Sequence, residues 1–267
     1  MSSVFRSRIS SEMVAANQIA FHCRKTLGSN LVKHNYPAVL RLAFNDAMTY
    51  NPETGKGGTV MGLKFRASKL KKYNKPYIGV LEALLSNKRL EADYRFDTMS
   101  ESDYLQAHAI TAIKDADGPN LCEYIRVGRK DVATEEELEG MSEVPQPEDG
   151  ITKFRDAFSS KGFNEKETVA LAFIYSFGTF RPRHQMSYTN RSVFNNDYFK
   201  YLIDDSQDKK FALDNILLDD SALKEFVELF ADKNKEFFDA FCDAYIKLQT
   251  LGNDDQNLRL EFPEYQY

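Results

Sequence analysis

Residues 38–58 read A-V-L-R-L-A-F-N-D-A-M-T-Y-N-P-E-T-G-K-G-G, and this stretch decides the fold. Pro37 precedes it and suits the first turn of a helix, where a missing N–H costs nothing. We therefore predict a helix that begins near Pro37. The residues of chemical interest in this helix are Arg41, Phe44 and Asn45.

A second stretch, residues 167–178, reads E-T-V-A-L-A-F-I-Y-S-F-G. Asn164 and Glu167 have the spacing of a capping box, which predicts a helix start at this point. Together the two stretches resemble the distal and proximal helices of class I haem peroxidases, the family of ascorbate peroxidase and cytochrome c peroxidase. Their counterparts in that family are L-R-L-A-W-H and E-[IV]-V-A-L-[SM]-G-[AG]-H-[TA]-[LI]-G.

The resemblance assigns a family role to each of four positions. Arg41 occupies the position of the distal arginine, Phe44 that of a tryptophan, and Asn45 that of the distal histidine. Tyr175 occupies the position of the histidine that binds iron. The resemblance therefore implies that this chain keeps the cation and loses the base and the iron ligand.

Further matches extend the resemblance over roughly residues 12–252. They are residues 188–203, 117–119 and 128–131, the helix at 237–241, and Asp214 at the position of the proximal aspartate. Ser187 replaces the proximal tryptophan, and the chain contains no tryptophan at all.

The resemblance implies a mainly α fold in which two helical subdomains flank a central cleft. We predict one domain over residues 1–267, with a distal half at about 12–133 and a proximal half at about 148–252. An extended tail at 253–267 completes the chain. The acidic stretch 134–149 predicts a surface connection between the halves. In the family the cofactor sits between them.

Other helical signals lie outside the motifs. Pro76 suits another helix start, and Ser100 with Asp103 resembles a capping box. The last long helix has a wide apolar face, which indicates core packing. That face consists of Phe237, Phe238, Phe241, Cys242, Tyr245 and Leu248.

The composition bounds the function. The chain has 267 residues, 42% of them apolar, and a net charge of −5, which argues against a nucleic-acid partner. Its three cysteines show no C-x-x-C spacing, so neither a zinc site nor a disulfide framework is indicated. No stretch reaches the roughly 18 apolar residues of a transmembrane helix, although peripheral membrane association through partners stays open.

The first eleven residues contain Arg6, Arg8 and several serines but no acidic residue. This composition resembles an organellar presequence, and a frayed terminus is the alternative. Class I relatives occur in mitochondria, plastids and cytosol. We therefore expect a mitochondrial or plastid location, with the cytosol as the alternative.

The substitutions argue against peroxidase chemistry. Peroxide cleavage needs a base that moves a proton and a cation that stabilises the separating charge. Arg41 supplies the cation, but the amide of Asn45 does not titrate near neutral pH. We expect Arg41 to pair with a carboxylate such as Asp46, since a buried unpaired guanidinium is costly. The predicted set of catalytic residues is therefore empty, with residual peroxidase or catalase-like activity as the alternative.

Tyr175 leaves two readings open. Tyrosinate can ligate haem iron, so haem b bound through Tyr175 is one of them. Asp214 would oppose ionisation of the phenol, so a neutral hydroxyl that donates to Asp214 is the other. Phe173 and Ile174 replace two small family residues and add bulk beside the macrocycle. We therefore expect no cofactor, with haem b as the alternative.

No other metal site is indicated. The four histidines lie far apart in sequence without ligand spacing, so none is a predicted ligand. The family's alkali-cation loop corresponds approximately to Ser176, Tyr188, Asn190 and Asn195, and Asn195 replaces an aspartate.

These expectations lead to three functional hypotheses. The first is an inactive peroxidase-like protein that serves as an accessory subunit of a larger organellar complex. Its tail alternates apolar and polar residues, and the apolar set Leu258, Leu260, Phe262 and Tyr265 would either fold back or contact protein subunits. The second is a haem enzyme or sensor that uses Tyr175, and the third is a cleft for another small molecule.

Overall fold

The computed structural model describes residues 17–28, 35–89, 99–178, 193–206, 211–253 and 258, apart from the side chains of 66–76. The described part consists of α-helices, short 3-10 helices and connecting loops, with no β-strand. The predicted mainly α class is confirmed. None of the helices in these ranges has the length and apolar character needed to cross a membrane.

The α-helices are numbered α1 to α10 in chain order, and α1 is described at residues 17–27. The others are α2 (Tyr36–Met48), α3 (Leu63–Arg89), α4 (Glu101–Asp115), α5 (Ile151–Ser159), α6 (Glu165–Ser176), α7 (Asp197–Ile203), α8 (Ala212–Asp219), α9 (Ser221–Asp232) and α10 (Asn234–Leu248). Three 3-10 helices lie at Cys122–Tyr124, Glu136–Leu138 and Pro147–Asp149.

The helix starts follow the capping signals in the sequence. Pro37 lies in the first turn of α2 as predicted. Asn164 accepts from the Glu167 N–H at 2.9 Å while Glu167 accepts from the Asn164 N–H at 2.9 Å, which confirms the capping box of α6. Ser100 accepts from the Asp103 N–H at 2.9 Å, so it caps α4.

Pro76 does not begin a helix, so that prediction is wrong. It lies inside α3, which runs over 27 residues. The buried residues Val80, Leu81 and Leu84 follow it on the same helix. Their burial favours continuation of α3, so the tertiary context overrides the start signal of proline.

Two groups of helices pack on each other through α2 and α6. In the first group α2 packs against α3 and α4, and in the second α6 packs against α9 and α10. The second group also contains α7 and α8, which pack against α9. Contact between α2 and α6 joins the groups and brings the two motif helices together. The exact boundaries of the distal and proximal halves stay a prediction.

An aromatic cluster fills the second group. The rings of Phe194 and Phe237 stack with centroids 5.5 Å apart, and Phe173 meets them at 4.7 and 5.0 Å. Phe237, Phe241, Tyr245 and Leu248 on α10 are fully buried, which confirms the predicted apolar face. Phe173, expected beside the cleft, thus packs into this core.

Arg129, from the predicted motif at 128–131, ties the segment after α4 to the end of α10. Its fully buried guanidinium donates to Asp103 Oδ1 at 2.7 Å and to the Gln249 carbonyl at 2.8 Å. It also donates to Thr59 Oγ1 at 3.2 Å. Every branch of this buried cation therefore has an acceptor, which offsets the cost of removing it from water.

Candidate functional site: the cleft between α2 and α6

Helix α2 forms one wall of the cleft. Ten of its thirteen residues are buried, including Phe44 and Asn45. The Phe44 ring lies 5.3 Å from that of Tyr175 on α6, in an edge-to-face arrangement, and 6.1 Å from that of Phe158. The structure therefore brings three of the predicted site positions, Arg41, Phe44 and Tyr175, into one contact.

Arg41 lies over the aromatic face of Tyr175, with the guanidinium carbon 4.1 Å from the ring centroid. This is a cation–π contact. Its Nε is buried and has no acceptor among the described residues, and no described carboxylate pairs with it. Burial lowers the pKa of Arg41, while Tyr175, Tyr77 and Glu148 act in the opposite direction.

The predicted pair of Arg41 with a carboxylate such as Asp46 is therefore wrong. Asp46 is the next residue but one after Phe44 and turns towards Met61, whose backbone N–H donates to Asp46 Oδ2 at 2.9 Å. Each residue of an α-helix is rotated by about 100° from the one before it, so residues five positions apart differ by about 500°. Arg41 and Asp46 therefore point in different directions. The aromatic ring takes the place of the expected anion.

Tyr175 holds a neutral hydroxyl. It donates to the backbone carbonyl of Pro145 at 2.5 Å. Burial raises the pKa of Tyr175, Arg41 lowers it in part, and the acidic residues Glu148 and Asp149 raise it further. A phenol in this setting stays protonated at neutral pH.

The predicted bond from Tyr175 to Asp214 is wrong as well. Asp214 is fully buried and accepts from the Tyr198 hydroxyl at 2.8 Å and from the Tyr201 hydroxyl at 3.5 Å. Its Oδ2 also accepts from the Phe211 N–H at 3.3 Å, at the start of α8. Asp214 therefore stabilises the packing of α7 on α8 instead of orienting Tyr175.

The other predicted positions lie apart from this contact. Ser176 is buried and donates to the Phe173 carbonyl at 2.9 Å, and Asn195 donates to Asp197 at 2.8 Å. Ile174 is buried, like Phe173, in the core around α6. The positions outside the described residues are Ser187, Tyr188, Asn190, Leu260, Phe262 and Tyr265, whereas Leu258 is described and buried.

A separate groove lies at the starts of α6 and α9. Its volume is about 390 Å³, and Ile151, Phe163 and Leu223 line it together with Arg155 and other polar residues. Arg155 bridges Asp220 at 2.7 Å and Glu165 at 3.1 Å across it. None of the cleft residues lines this groove. Elsewhere among the described residues, no group of three histidine, cysteine, aspartate or glutamate side chains could hold a metal ion.

The cleft residues can be tested for the fit of a haem between α2 and α6. A macrocycle between the positions of Arg41 and Tyr175 must separate two groups that are in van der Waals contact at 4.1 Å. It must also part the rings of Phe44 and Tyr175. The side chains as they are placed therefore do not fit a haem, which would require Tyr175 to leave both neighbours.

Comparisons with known proteins identify the family. A family model described as Peroxidase matches residues 22–233. The chain is 30% identical to the cytosolic L-ascorbate peroxidase 2 of Arabidopsis thaliana over 239 residues, which cover 87% of this chain and 91% of that protein. Proteins from other organisms and compartments are also similar to this chain.

Two further relatives illustrate this spread. A probable chloroplastic L-ascorbate peroxidase 5 of Oryza sativa subsp. japonica is 29% identical over 83% of this chain and 77% of its own length. The mitochondrial cytochrome c peroxidase of Cryptococcus neoformans is 28% identical over 81% of this chain and 61% of its own length. Cytosolic, chloroplastic and mitochondrial proteins are thus all among the relatives.

These matches overturn our expectation that the chain uses no cofactor. Ascorbate peroxidases and cytochrome c peroxidases are haem proteins, so the relatives point to haem rather than to no cofactor. A bound haem would therefore have to separate Tyr175 from Arg41 and from Phe44. With a family model over most of its length and a relative at 30% identity, the chain belongs to the class I haem peroxidase family.

Proposed function

We propose that this chain is a family member that does not carry out the peroxide turnover of its relatives and that serves as an accessory subunit of an organellar protein assembly. One observation carries the first part of the proposal. The position of the distal base holds Asn45, a buried amide one helical turn after Arg41 on α2.

Among the described residues, the cleft lacks a side chain that could transfer the proton in peroxide cleavage. An amide neither accepts nor returns a proton near neutral pH. The hydroxyl of Tyr175 is already committed to the Pro145 carbonyl. General acid–base catalysis contributes about 10²–10⁴-fold to rates, so we expect turnover to be lower by at least this factor. The amide of Asn45 cannot act as the base whether or not haem is bound.

Tyrosinate ligation at Tyr175 is less well supported. A tyrosinate ligand needs a depressed phenol pKa, but burial raises the pKa of Tyr175 despite the neighbouring cation. Ionisation would also break the hydrogen bond to Pro145, because only the protonated phenol can donate it. The geometry therefore favours the neutral hydroxyl over the ligand role.

The subunit part of the proposal rests on the tail and on the relatives. Leu258 is buried within the chain itself, so we propose that the later apolar residues of the tail, Leu260, Phe262 and Tyr265, contact the protein subunits. Two of the three relatives above are chloroplastic or mitochondrial in their names and the third is cytosolic. We therefore propose a mitochondrion or plastid as the location of the assembly.

Activity is tested on the haem-loaded protein. Purified chain is incubated with haem, unbound haem is removed, and peroxide-dependent oxidation of ascorbate and of reduced cytochrome c is measured. Arabidopsis thaliana cytosolic L-ascorbate peroxidase 2 is the positive control. Rates at least 10²-fold below that control are expected. Rates within tenfold of it would contradict the proposal.

The subunit role needs a separate experiment. Native purification from the source organism, followed by mass spectrometry, should recover the chain in a stable complex within an organellar fraction. Deletion of residues 258–267 should reduce this recovery. Recovery of the chain as a monomer from the cytosol would contradict the role.

A further inference from the structure

Residues 57–62, between α2 and α3, form a short segment that we term the clasp. The Thr59 N–H donates to the Leu251 carbonyl at 2.9 Å, and the Val132 N–H donates to the Val60 carbonyl at 2.9 Å. Asn253 donates to Thr59 Oγ1 at 2.8 Å. The clasp therefore joins the segment after α4 to the residues that precede the C-terminal tail.

Backbone conformation at the clasp is unusual at one non-glycine residue. Met61 has a φ of 55°, in the left-handed region that L-residues disfavour. Its N–H donates to Asp46 Oδ2 at 2.9 Å, and its side chain is fully buried. Strained conformations persist where surrounding contacts hold them, and the bond to Asp46 is such a contact.

Asp46 is an unusual anchor for this bond. Its side chain is fully buried, and its Oδ1 has no donor among the described residues. No lysine, arginine or histidine of the described part forms an ion pair with it. A buried carboxylate without a counter-ion is far less stable than the neutral acid, so the site favours the protonated form.

The charges around Asp46 add to this preference. Within the clasp, residues 57–62 include no ionisable side chain. The segment after α4 contributes Asp131, whose like charge raises the pKa of Asp46, and Arg129, which is bound to Asp103. Lys64, at the start of α3, pairs with Glu101 at 3.6 Å. On the side of the 3-10 helix Glu136–Leu138, the apolar Leu138 lies beside Gly62.

The size of the pKa shift of Asp46 follows from its burial. Burial is the largest cause, and it raises the pKa of Asp46 to about 7, while the nearby backbone N–H groups of Met61, Leu63 and Gly62 lower it. The neutral and the charged forms therefore exchange within the pH range in which organelles differ.

From this geometry we infer that Asp46 is a proton-operated catch. The closed clasp accommodates the neutral acid, whereas ionisation would bury a charge that has no counter-ion among the described residues. Ionisation therefore favours opening of the clasp and of its bonds to Leu251 and Asn253, although the Met61 N–H itself binds a carboxylate more strongly than the acid. Opening frees Leu251 and Asn253, so the pH of the compartment controls how firmly the residues that follow α10 are attached to the clasp. This inference does not depend on the proposed lack of catalysis.

Hydrogen exchange of single amides tests the catch. Protection factors of the Met61, Thr59 and Val132 amides are measured at pH 6 and pH 8.5 and corrected for intrinsic exchange. A carboxyl that titrates near 3.9 in the open form and near 7 in the closed form makes opening about tenfold more frequent at the higher pH. We therefore expect protection to fall about tenfold in the wild-type chain.

The matched variants separate the catch from general pH effects. In Asp46→Asn the side chain has a similar size and no charge, so protection should be independent of pH. Asp232→Asn, at an exposed acid on α9, should behave like the wild-type chain. A wild-type chain without pH dependence, or the same dependence in Asp46→Asn, would overturn the inference.

A direct titration covers the case in which Asp46→Asn fails to fold. The carboxyl carbon of Asp46 in the wild-type chain is followed by NMR against pH. A midpoint near 7 supports the catch, and a midpoint below about 5, close to that of a solvated aspartate, overturns it.

Discussion

The surroundings of Arg129 and those of Arg41 show two ways in which one fold treats an arginine: Arg129 is buried, and Arg41 is half-buried. Arg129 donates to a carboxylate, a backbone carbonyl and a hydroxyl, and it links segments that are far apart in sequence. Arg41 contacts an aromatic face and leaves a buried Nε without an acceptor. The first residue is a structural link, whereas the second forms no ion pair with any carboxylate that the structure describes.

The contrast has a physical meaning. Removing one partner from a fully paired buried network leaves the other charge uncompensated, and this is costly. Removing a cation that has no ionic partner leaves nothing uncompensated. The same substitution at the two arginines should therefore have very different effects on stability, and the following predictions test this difference.

Arg129→Met should have the largest effect. It leaves Asp103 buried and unpaired and removes two acceptor contacts at the end of α10. We expect a loss of about 3–5 kcal/mol in the free energy of unfolding, measured by urea denaturation. The double variant Asp103→Leu with Arg129→Met should recover part of this loss. A single variant within about 1 kcal/mol of the wild-type chain would remove the structural role of Arg129.

The second prediction concerns Asp46 on α2 and His108 on α4. Folding raises the pKa of Asp46 and lowers the pKa of His108. His108 is fully buried, its Nδ1–H donates to the Tyr104 carbonyl at 2.7 Å, and burial lowers its pKa to about 4. Between pH 4 and 6.5, His108 is protonated in the unfolded chain and neutral in the folded chain. Its contribution to the free energy of unfolding therefore falls as the pH falls. Over the same range folded Asp46 binds the extra proton, so its contribution rises as the pH falls.

The two contributions should nearly cancel in the wild-type chain. In Asp46→Asn only His108 remains, so the free energy of unfolding should drop by about 3 kcal/mol between pH 6.5 and pH 4 relative to the wild-type chain. Urea denaturation at several pH values measures this difference. Parallel pH profiles for the two proteins would show that the two titrations are not opposed.

Tyr175→Phe should have a moderate effect. The ring remains under Arg41, so the cation–π contact is kept, but the hydrogen bond to Pro145 is lost. We expect a loss of about 1 kcal/mol, with Tyr198→Phe as the control for a buried hydroxyl bound to a carboxylate. A loss several times larger would show that the hydroxyl has a further role in the cleft.

Arg41→Met should have the smallest effect. The variant gives up a cation–π contact, worth about 0.5–2 kcal/mol, and also removes a buried guanidinium without an ionic partner. These terms oppose each other, so the net change should stay within about 1 kcal/mol. A loss as large as that of Arg129→Met would contradict the contrast between the two regions.

Sequence alone predicts the helical frame well. The start of α2 follows from Pro37, that of α6 from the capping box at Asn164 and Glu167, and the apolar face of α10 from its spacing. The fold class and the family roles of residues 41–45 follow from the resemblance to class I haem peroxidases.

The contacts inside the cleft could not be predicted in this way. An alignment places Arg41, Asp46 and Tyr175 on their helices, but it does not say which neighbour each side chain meets. The acceptor of the Tyr175 hydroxyl is a backbone carbonyl in the loop at Pro145, and a carbonyl has no signature in the sequence. The hydroxyls that donate to Asp214 belong to Tyr198 and Tyr201, which both lie in the match at 188–203. Their side chains are visible in the sequence as possible partners of Asp214.

The backbones at Gly58 and Gly252 are in close contact, and this has a consequence for biosynthesis. A Cβ on Gly58 would lie 2.3 Å from the Leu251 carbonyl oxygen, and one on Gly252 would lie 2.4 Å from that of Gly57. The adjoining hydrogen bond from Thr59 to Leu251 spans 192 positions of the chain. The ribosome must release residues 57 to 252 before this junction can form, so in shorter nascent chains the backbone groups of residues 57–59 lack their partners at Leu251 and Gly252.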